Sequence, residues 1–268
     1  MRLPPDKSLG QNFLSDRFCR KIIQTCAFTA EDNVLEIGPG KGALTSLLVS
    51  RVKHLWAVEK DERMVRFLRE KLAGAAGLTL VHADILAYSF NELPSGIKVI
   101  GNLPYNIATP IIQKVLTLST PCAVFYAMLQ REYAQRLAAR PSTKAYGALS
   151  CFVQFHAEVK VLWSVPPGAF SPPPKVRSSF VRLCPRTTPP VRVRDKEALF
   201  GLIRHAFQQR RKTIGNALGN MMDKQRLKAV LNAADIPARA RPEDLSLADF
   251  ARLDWEMGEG MPGHGVPL

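Results

Sequence analysis

Val34-Leu35-Glu36-Ile37-Gly38-Pro39-Gly40-Lys41-Gly42 joins a short apolar run to a glycine-rich turn, and the segment from Leu44 to Val49 continues with helical spacing. Glycines at such a turn let the backbone approach a ligand closely. The dinucleotide-binding spacing Gly-x-Gly-x-x-Gly is absent, because these glycines follow Gly-x-Gly-x-Gly with an acid before them. The stretch therefore predicts a strand, a tight turn and a helix around a cofactor without a pyrophosphate, a description that S-adenosylmethionine fits.

Outward from this stretch, short runs rich in Val, Ile and Leu alternate with segments of helical periodicity. The further segments are Leu55–Val58, Met64–Leu72, Leu78–Val81, Val99–Ile100, Pro110–Leu118 and Val124–Leu129. Such β-α alternation predicts a parallel sheet that is covered by helices on both faces. Ligands of these folds bind at the carboxyl ends of the strands.

Acidic residues stand where the second and third of these strands end. Glu59 ends the second strand, where a carboxylate can accept hydrogen bonds from both hydroxyls of a ribose. Asp84 can accept one from an adenine amino group, with Ile85 beside it to pack on the ring. Glu36 is either a ligand contact or a structural acid that bonds loop amides. Together with the glycine turn, the acids predict a site for a nucleoside-type cofactor.

Asn102-Leu103-Pro104-Tyr105, just after the apolar run that ends at Ile100, carries a second chemical signal. The exocyclic nitrogen of adenine is a poor nucleophile because its lone pair is delocalised into the ring. The Asn102 side-chain oxygen and the Leu103 carbonyl can each accept one N–H of that amine, while Pro104 has no N–H and fixes the turn. Tyr105 can stack on the base. The pattern predicts methylation of an exocyclic amino nitrogen, and its structural alternative is an ordinary strand-ending turn.

A proline-rich segment interrupts the later part of the chain. The runs Val159–Leu162 and Val176–Leu183 lie on either side of a loop from Pro166 to Pro174, which is too rich in proline for a helix or a strand ladder. We therefore predict a hairpin-like return of two strands at the edge of the sheet, joined by a stiff loop.

Beyond Pro185 the chain has helical patterning and no strand runs. We predict a catalytic domain over residues 1–184 and a small helical RNA-binding domain over residues 185–268. The Gly- and Pro-rich end from Gly258 predicts a disordered tail.

Charge and composition restrict the partner. The 268-residue chain has 46% apolar residues, a formal net charge of +14 and a pI near 9.9, which favour a globular fold and a polyanionic partner such as RNA, DNA or an anionic membrane surface. No apolar stretch approaches the roughly 20 residues of a spanning helix. The start has no signal or presequence pattern, which predicts a cytoplasmic protein. Five cysteines without a Cys-x-x-Cys pair predict reduced thiols, with no disulfide and no metal.

Positive charge is concentrated in residues 182–212, which contain nine Lys or Arg and two acids, and so carry +7 of the total. The centre of this region is Arg210-Arg211-Lys212. We predict a phosphate-binding face, and the alternative is a solvated basic helix. Phosphate contacts set the register of an RNA without reading its sequence, so the fold of the RNA must choose the site.

Several motifs, in order along nearly the whole chain, resemble the KsgA-type (RsmA) small-subunit ribosomal RNA adenine dimethyltransferase family, with the Erm resistance methyltransferases as cousins. They are Lys7–Leu14 of the leader, Glu36–Gly42, Glu59, Asp84, Asn102–Tyr105, Phe170–Val176 and Phe207–Thr213. The resemblance implies an α/β, Rossmann-like class I S-adenosylmethionine-dependent methyltransferase domain with a small C-terminal all-helical domain.

The resemblance also implies roles for individual residues. The residues implied to line the S-adenosylmethionine pocket are Gln11, Asn12, Leu14, Gly38, Gly40, Glu59, Lys60, Asp84, Ile85 and Asn102. Phe170 is implied to approach the target base from the face opposite Tyr105. A flipped adenosine would then stack between these two rings, each contact contributing roughly 1–3 kcal/mol. We expect no dedicated general base, because the methylated amine is acidic enough to release its proton to water.

The implied reaction is dimethylation of two adjacent adenosines in a hairpin loop near the 3′ end of 16S rRNA, by a monomer acting on an immature small ribosomal subunit. An Erm-like enzyme acting on large-subunit rRNA is an alternative, against which Phe207 to Leu218 argues. DNA adenine methyltransferases usually carry Asp-Pro-Pro-Tyr instead and lack the leader. A non-catalytic ribosome assembly factor is disfavoured because every donor-site residue is present.

Overall fold

The structure is a computed structural model that describes Pro4, Asp6 and residues 11–258. The leader residues Lys7 to Gly10 and the predicted disordered tail beyond Gly258 lie outside the described residues.

A seven-stranded sheet forms the centre of the fold. The strands of the described chain are, in order, β1 (Phe13–Leu14), β2 (Asn33–Ile37), β3 (His54–Glu59), β4 (Leu78–His82), β5 (Lys98–Asn102), β6 (Val124–Gln130), β7 (Ala157–Val165), β8 (Phe170–Ser171) and β9 (Ser178–Pro185). Seven of them form the large sheet, and β1 and β8 form a separate pair. The large sheet has the order β4-β3-β2-β5-β6-β9-β7. The first five strands in this order are mutually parallel, and β9 is antiparallel to both of its neighbours. The predicted Rossmann-like α/β fold is confirmed.

Six helices lie between strands along the described chain, and four more follow the last strand. They are α1 (Asp16–Cys26), α2 (Thr45–Leu48), α3 (Glu62–Lys71), α4 (Ala108–Leu116), α5 (Arg131–Leu137), α6 (Ala148–His156), α7 (Lys196–Gln208), α8 (Ile214–Ala217), α9 (Lys224–Ala233) and α10 (Leu247–Met257). Parallel strands need such crossovers, and buried strands read as nearly continuous apolar runs. In β2, Val34 and Leu35 are fully buried. Because β2 lies in the middle of the parallel strands, the glycine turn that follows it opens at the centre of the carboxyl edge.

The proline-rich loop returns the chain to the sheet, as the sequence predicts. β7 and β9 pair antiparallel, with Ala157 opposite Pro185 and Val165 opposite Ser178. Within the loop, the short strand β8 pairs antiparallel with β1, so that Leu14 lies opposite Phe170. The leader is therefore paired, through β1, with the loop between β7 and β9.

The chain divides into two compact units. The first extends to Ala134 and resumes over Ala157–Pro185, and the second comprises Gln135–His156 and the chain from Arg186 onward. Our predicted boundary at 184/185 lies one residue from the last of the three points where the chain passes between units, but the prediction assigned residues 135–156 to the catalytic domain. The structure places this segment in the helical unit because α6 packs there, with the rings of Phe155 and Phe200 5.2 Å apart between centroids. The longest helix in the described part of the chain, α7, has 13 residues, and none of the described helices could span a bilayer.

Candidate active site

A cavity opens at the carboxyl ends of β2 to β5, where the fold places ligands. Its lining includes eleven of the predicted site residues: Gln11, Asn12, Leu14, Gly38, Gly40, Glu59, Lys60, Asp84, Ile85, Asn102 and Pro104. Apolar side chains such as Ile100, Ile111 and Met128 also line it. The residues that we predicted to bind the cofactor, scattered over more than 90 positions, therefore surround one space.

The glycine turn after β2 gives a ligand direct access to the backbone. Gly38 has a φ of +67°, and a Cβ built there would meet nothing within 4 Å. Gly42, with a φ of +73°, is constrained for a different reason, since its Cβ would lie 2.4 Å from the Leu68 side chain. The first glycine therefore exposes backbone to the cavity, and the second lets α3 pack against the turn.

Glu59 is held rigidly at the end of β3. Its Oε2 accepts the N–H of Gly40 at 2.9 Å, and its Oε1 accepts the N–H of Asp61 at 2.9 Å. The side chain is only 7% exposed. Each carboxylate oxygen has a further lone pair that can accept a ribose hydroxyl. Glu59 thus links the glycine turn to the second strand end while facing the cavity.

Asp84, after β4, is ionised and oriented by its neighbours. Its Oδ2 accepts from the ammonium of Lys60 at 2.8 Å and its Oδ1 from the Leu86 N–H at 2.9 Å. The Lys60 hydrogen bond is the main reason that the pKa of Asp84 lies below its usual value. Ile85 is 6% exposed and lines the cavity, as expected for a residue that packs on an adenine ring.

The leader closes one side of the cavity. Gln11 donates from Nε2 to Asp61 Oδ2 at 2.9 Å, and the N–H of Ser15, just after β1, donates to the Ala169 carbonyl at 2.8 Å. The Phe13 ring lies under the Lys41 ammonium at 4.4 Å. These contacts bind the leader to three separate segments, so that it forms a fixed wall.

Sequence reasoning missed Asp61. This carboxylate is 6% exposed, caps α3 through the Arg63 N–H, and binds the Arg63 guanidinium as well as Gln11. The Arg63 hydrogen bond is the largest cause of a pKa lowered to about 2. An Asp immediately before a helical run is an N-cap signal that could have marked this position. Its role in anchoring the leader depends on a contact across 50 residues, which no local pattern shows.

Asn102 is oriented by the leader. Its Nδ2 donates to the backbone carbonyl of Asn12 at 2.7 Å. Since a carbonyl can only accept, this bond fixes which end of the amide is the nitrogen and leaves Oδ1 as the acceptor toward a ligand. A hydrogen-bond acceptor from Asn102 is the group that the predicted methylation requires.

The other predicted catalytic residues lie around the cavity in different ways. Pro104 lines the cavity. Leu103 is 1% exposed and its side chain packs against Gly101. Tyr105 is half-buried, and its hydroxyl lies 3.0 Å from Ser178 Oγ at the start of β9. Neither Leu103 nor Tyr105 lines the cavity itself, so Tyr105 belongs to a neighbouring surface that β9 supports.

The position of Phe170 differs from the prediction that its ring stacks on the target base. Its side chain is 5% exposed and packs in the apolar cluster with Ile22, Ala169 and Phe180, and it does not line the cavity. The pairing of β8 with β1 holds the ring there. The predicted pair of open aromatic walls is therefore not formed in this structure. A stacking role for Phe170 stays a prediction, and it requires the ring to leave the cluster.

The three residues of the predicted RNA-binding triplet have different surroundings. The Arg210 guanidinium binds Glu243 at 2.5 Å and donates to the Lys144 carbonyl at 2.7 Å, which is a structural role within the helical unit. Arg211 and Lys212 are exposed, and their side chains form no hydrogen bond or ion pair within the described part of the chain. Arg211 and Lys212 are thus open to phosphates, and RNA binding by the whole triplet stays a prediction.

Glu36 gives the site a pH dependence. Burial raises the pKa of this carboxyl from 4.5 to about 8, and the charge of Glu59 adds to the shift. Because the folded-state pKa is raised, stability is highest below the unfolded pKa and is lost as the pH rises through about 8. We expect Glu36→Gln to flatten the fall in unfolding free energy between about pH 5 and pH 8, measured by urea denaturation without cofactor.

The matched control for this measurement is Glu62→Gln, at an exposed acid on α3 whose pKa is lowered by Arg66. It is expected to leave the high-pH slope as in the wild-type protein. Parallel slopes for the wild-type and Glu36→Gln proteins would contradict the burial argument.

The cavity fits S-adenosylmethionine. Glu36 Oε2 is buried without a hydrogen-bond partner among the described residues, which leaves an acceptor for a donor group of a ligand. The open space at Gly38, the fixed carboxylate of Glu59 and the ionised Asp84 provide the other polar contacts that such a molecule needs. No cluster of three or more potential metal ligands occurs within residues 11–258. The sheet order and this site define a class I S-adenosylmethionine-dependent methyltransferase.

The chain belongs to the ribosomal RNA adenine dimethylase family, whose model matches residues 5–256. It is 42% identical to "Ribosomal RNA small subunit methyltransferase A" of Xanthomonas euvesicatoria pv. vesicatoria over 93% of this chain and 95% of the relative. A dimethyladenosine transferase from Plasmodium falciparum superposes with a TM-score of 0.77 at 25% identity, covering 90% of this chain and 95% of that one. The 23S rRNA methyltransferase ErmE gives 0.71 at 27% identity, over 92% and 100%. The predicted enzyme class and cofactor are confirmed.

Proposed function

We propose that this enzyme dimethylates two adjacent adenosines near the 3′ end of 16S rRNA, acting as a monomer on an immature small ribosomal subunit in the cytoplasm. The observation that carries the adenine-methylating chemistry is the hydrogen bond from Asn102 Nδ2 to the Asn12 carbonyl, which presents Oδ1 as an acceptor. The choice of the small subunit is supported by a relative of that name at 42% identity, compared with 27% for ErmE.

The proposed mechanism relies on positioning. A target adenosine leaves its stack and enters beside the cavity, where Asn102 Oδ1 and the Leu103 carbonyl each accept one N–H of its amino group. These two bonds draw the lone pair out of the ring and hold the nitrogen in place. S-adenosylmethionine, when bound, supplies an electrophilic methyl group on a positively charged sulfur. The surrounding oxygens are already fixed by backbone and side-chain donors, so little reorganisation is needed.

We assign no site residue as the base that accepts the proton of the methylated amino group. An N-methylated adeninium is strongly acidic, so it can release its proton to water. Glu36 and Asp84 serve in this scheme to hold the cofactor.

The test compares substrates side by side. Labelled S-adenosylmethionine is offered to the protein with unmethylated small subunits, large subunits or DNA in parallel, and the labelled nucleoside is identified after digestion. We expect dimethyladenosine in small-subunit RNA alone. Label confined to the large subunit would replace the proposal with the Erm-like alternative, and RNA binding without any label would support a pure assembly factor.

Tyr105 and Ser178 should act as one unit in this reaction. The hydroxyl of Tyr105 bonds Ser178 Oγ at 3.0 Å, and Ser178 is fully buried, so the serine orients the ring on which the base would stack. We expect Tyr105→Phe and Ser178→Ala each to lower kcat about three- to tenfold, with no further loss in the double variant.

Ser179→Ala is the matched control, since Ser179 is a buried serine beside Ser178 on β9. It is expected to change kcat much less. Ser178→Thr keeps the hydroxyl and should restore part of the activity. Additive losses from Tyr105→Phe and Ser178→Ala would show that the two residues act separately.

A further inference from the structure

A basic hollow lies on the face of α1 opposite to Cys19 and Ile22, the two residues of this helix that line the cofactor cavity. Its side chains are Arg17, Arg20, Lys21 and Gln24 from α1, with Ser164 of β7 and Pro166 beyond it. The spacing of the four helical residues at i, i+3, i+4 and i+7 places them on one face. Here they form a stripe about 10 Å long, which at 3.4 Å per nucleotide matches a few nucleotides of one strand.

Two guanidiniums in this hollow are not neutralised. Arg17 and Arg20 are exposed, and neither forms a hydrogen bond or ion pair in the part of the chain that the structure describes. By contrast, Arg63 and Arg66 of α3 are both paired with carboxylates. Asp16 is the one acid of α1, and it does not line the hollow. The hollow thus presents positive charge to whatever enters it.

The stability of α1 does not account for this arrangement. The positive end of the helix dipole lies at the N-terminus, where nearby cations are unfavourable by about 0.3–1 kcal/mol. Arg17 lies in the first turn of α1, and the last turn contains no basic residue. Arg17 therefore lies where its charge opposes folding, and the mid-helix positions of Arg20 and Lys21 gain nothing from the helix dipole.

Aromatic rings make the hollow rigid. The Lys21 ammonium lies 4.2 Å from the centroid of the Trp163 ring, and the Phe18 ring lies 6.2 Å from Trp163. These contacts fix the helix against β7 and hold one of the three cations in place. A preorganised cationic surface loses little entropy when an anion binds.

The hollow is joined to the loop that carries Phe170. The N–H of Ser15, the N-cap of α1, donates to the Ala169 carbonyl at 2.8 Å, and Pro166 belongs both to the hollow and to this loop. A strand of RNA with a nucleotide beside the loop that carries Phe170 would therefore have its neighbouring phosphates near α1.

We propose that the α1 hollow binds the phosphate backbone of the substrate RNA next to the target adenosines, with Arg17 and Arg20 as the main contacts. This inference rests on the proposed function for the identity of the RNA. Arginine suits the role because its planar guanidinium donates two parallel hydrogen bonds to a phosphate. The contact sets the register of the RNA and reads no base.

The test is Arg17→Gln/Arg20→Gln, with Arg51→Gln/Arg69→Gln as the matched control. The control residues are also exposed and unpaired arginines, and the net charge changes equally. Binding to a labelled RNA hairpin from the 3′ end of 16S rRNA is measured over a range of salt concentrations. For the α1 variant we expect the magnitude of the slope of log K against log salt to fall by about 1.4–1.8, and the Kd to rise about tenfold. KM for small subunits should rise at unchanged kcat, and S-adenosylmethionine affinity should not change.

Equal slopes and affinities for the α1 variant and its control would overturn the inference. So would a loss of binding to vesicles of anionic phospholipid with RNA affinity unchanged, which would assign the hollow to a membrane surface. Failure of the proposed function has a different signature, because the wild-type protein itself would then not methylate small subunits. If it methylated large subunits instead, the same pair of variants would test the hollow on that RNA.

Discussion

Asn102→Ala is expected to lower kcat by about 10²- to 10³-fold, the range for removing one oriented donor or acceptor from a reacting centre. The variant loses the Oδ1 acceptor for the adenine amino group, so the nitrogen is neither aligned nor activated. It also loses the bond to the Asn12 carbonyl, which loosens the leader. We therefore expect the Kd for S-adenosylmethionine to rise only a few-fold. Single-turnover methylation of unmethylated small subunits and calorimetric titration of the cofactor measure the two effects.

Asn91→Ala provides the comparison, because Asn91 is an exposed asparagine between β4 and β5 that does not line the cavity. Its loss of turnover should be at least ten times smaller. Near-normal single turnover by Asn102→Ala would reject the proposed role of the amide. A collapse of cofactor affinity with residual turnover at saturating cofactor would assign Asn102 to holding the leader.

Glu59→Gln should give the second largest effect, in cofactor binding. Both carboxylate oxygens accept backbone N–H groups, from Gly40 and from Asp61. A glutamine must place its NH₂ against one of these donors, so a charge-assisted bond is lost and two donors oppose each other. Bonds to charged groups contribute about 1.5–3 kcal/mol, so we expect the Kd for S-adenosylmethionine to rise about 10- to 100-fold.

Glu62→Gln, at an exposed acid three residues away, tests whether loss of any nearby negative charge has this effect. Its cofactor affinity should stay within about twofold of the wild-type value. Thermal unfolding without cofactor separates a damaged site from a damaged fold. An unchanged cofactor Kd for Glu59→Gln would remove this residue from the binding site.

The sheet and the cofactor cavity could be predicted because their signals are local. The apolar runs define strands, Gly38 follows the first of them, and Glu59 and Asp84 mark the ends of the next two. Parallel strands then bring these ends to one edge without further information. Short motifs and a general rule of topology are thus enough to predict the cavity.

The remaining features depend on contacts that sequence spacing does not encode. Asp61 anchors the leader through Gln11, which is 50 residues away. Phe170 is in the core because β8 pairs with β1 across more than 150 residues. Arg210 is paired with Glu243, so a basic triplet contains only two exposed cations without partners. In each case a partner far away in the sequence decides what the side chain does.

Between β6 and β7 the chain leaves the first unit, contributes residues 135–156 to the second and returns. This arrangement has a consequence during synthesis on the ribosome. Residues 135–156 emerge before the rest of the unit to which they belong, and Phe155 meets Phe200 only after a further 45 positions have been added. A fragment that stops at Pro185 would keep the apolar face of α6 without its cover. We therefore expect such a truncated protein to aggregate. To obtain the first unit as a soluble protein, residues 135–156 would also have to be replaced by a short polar linker.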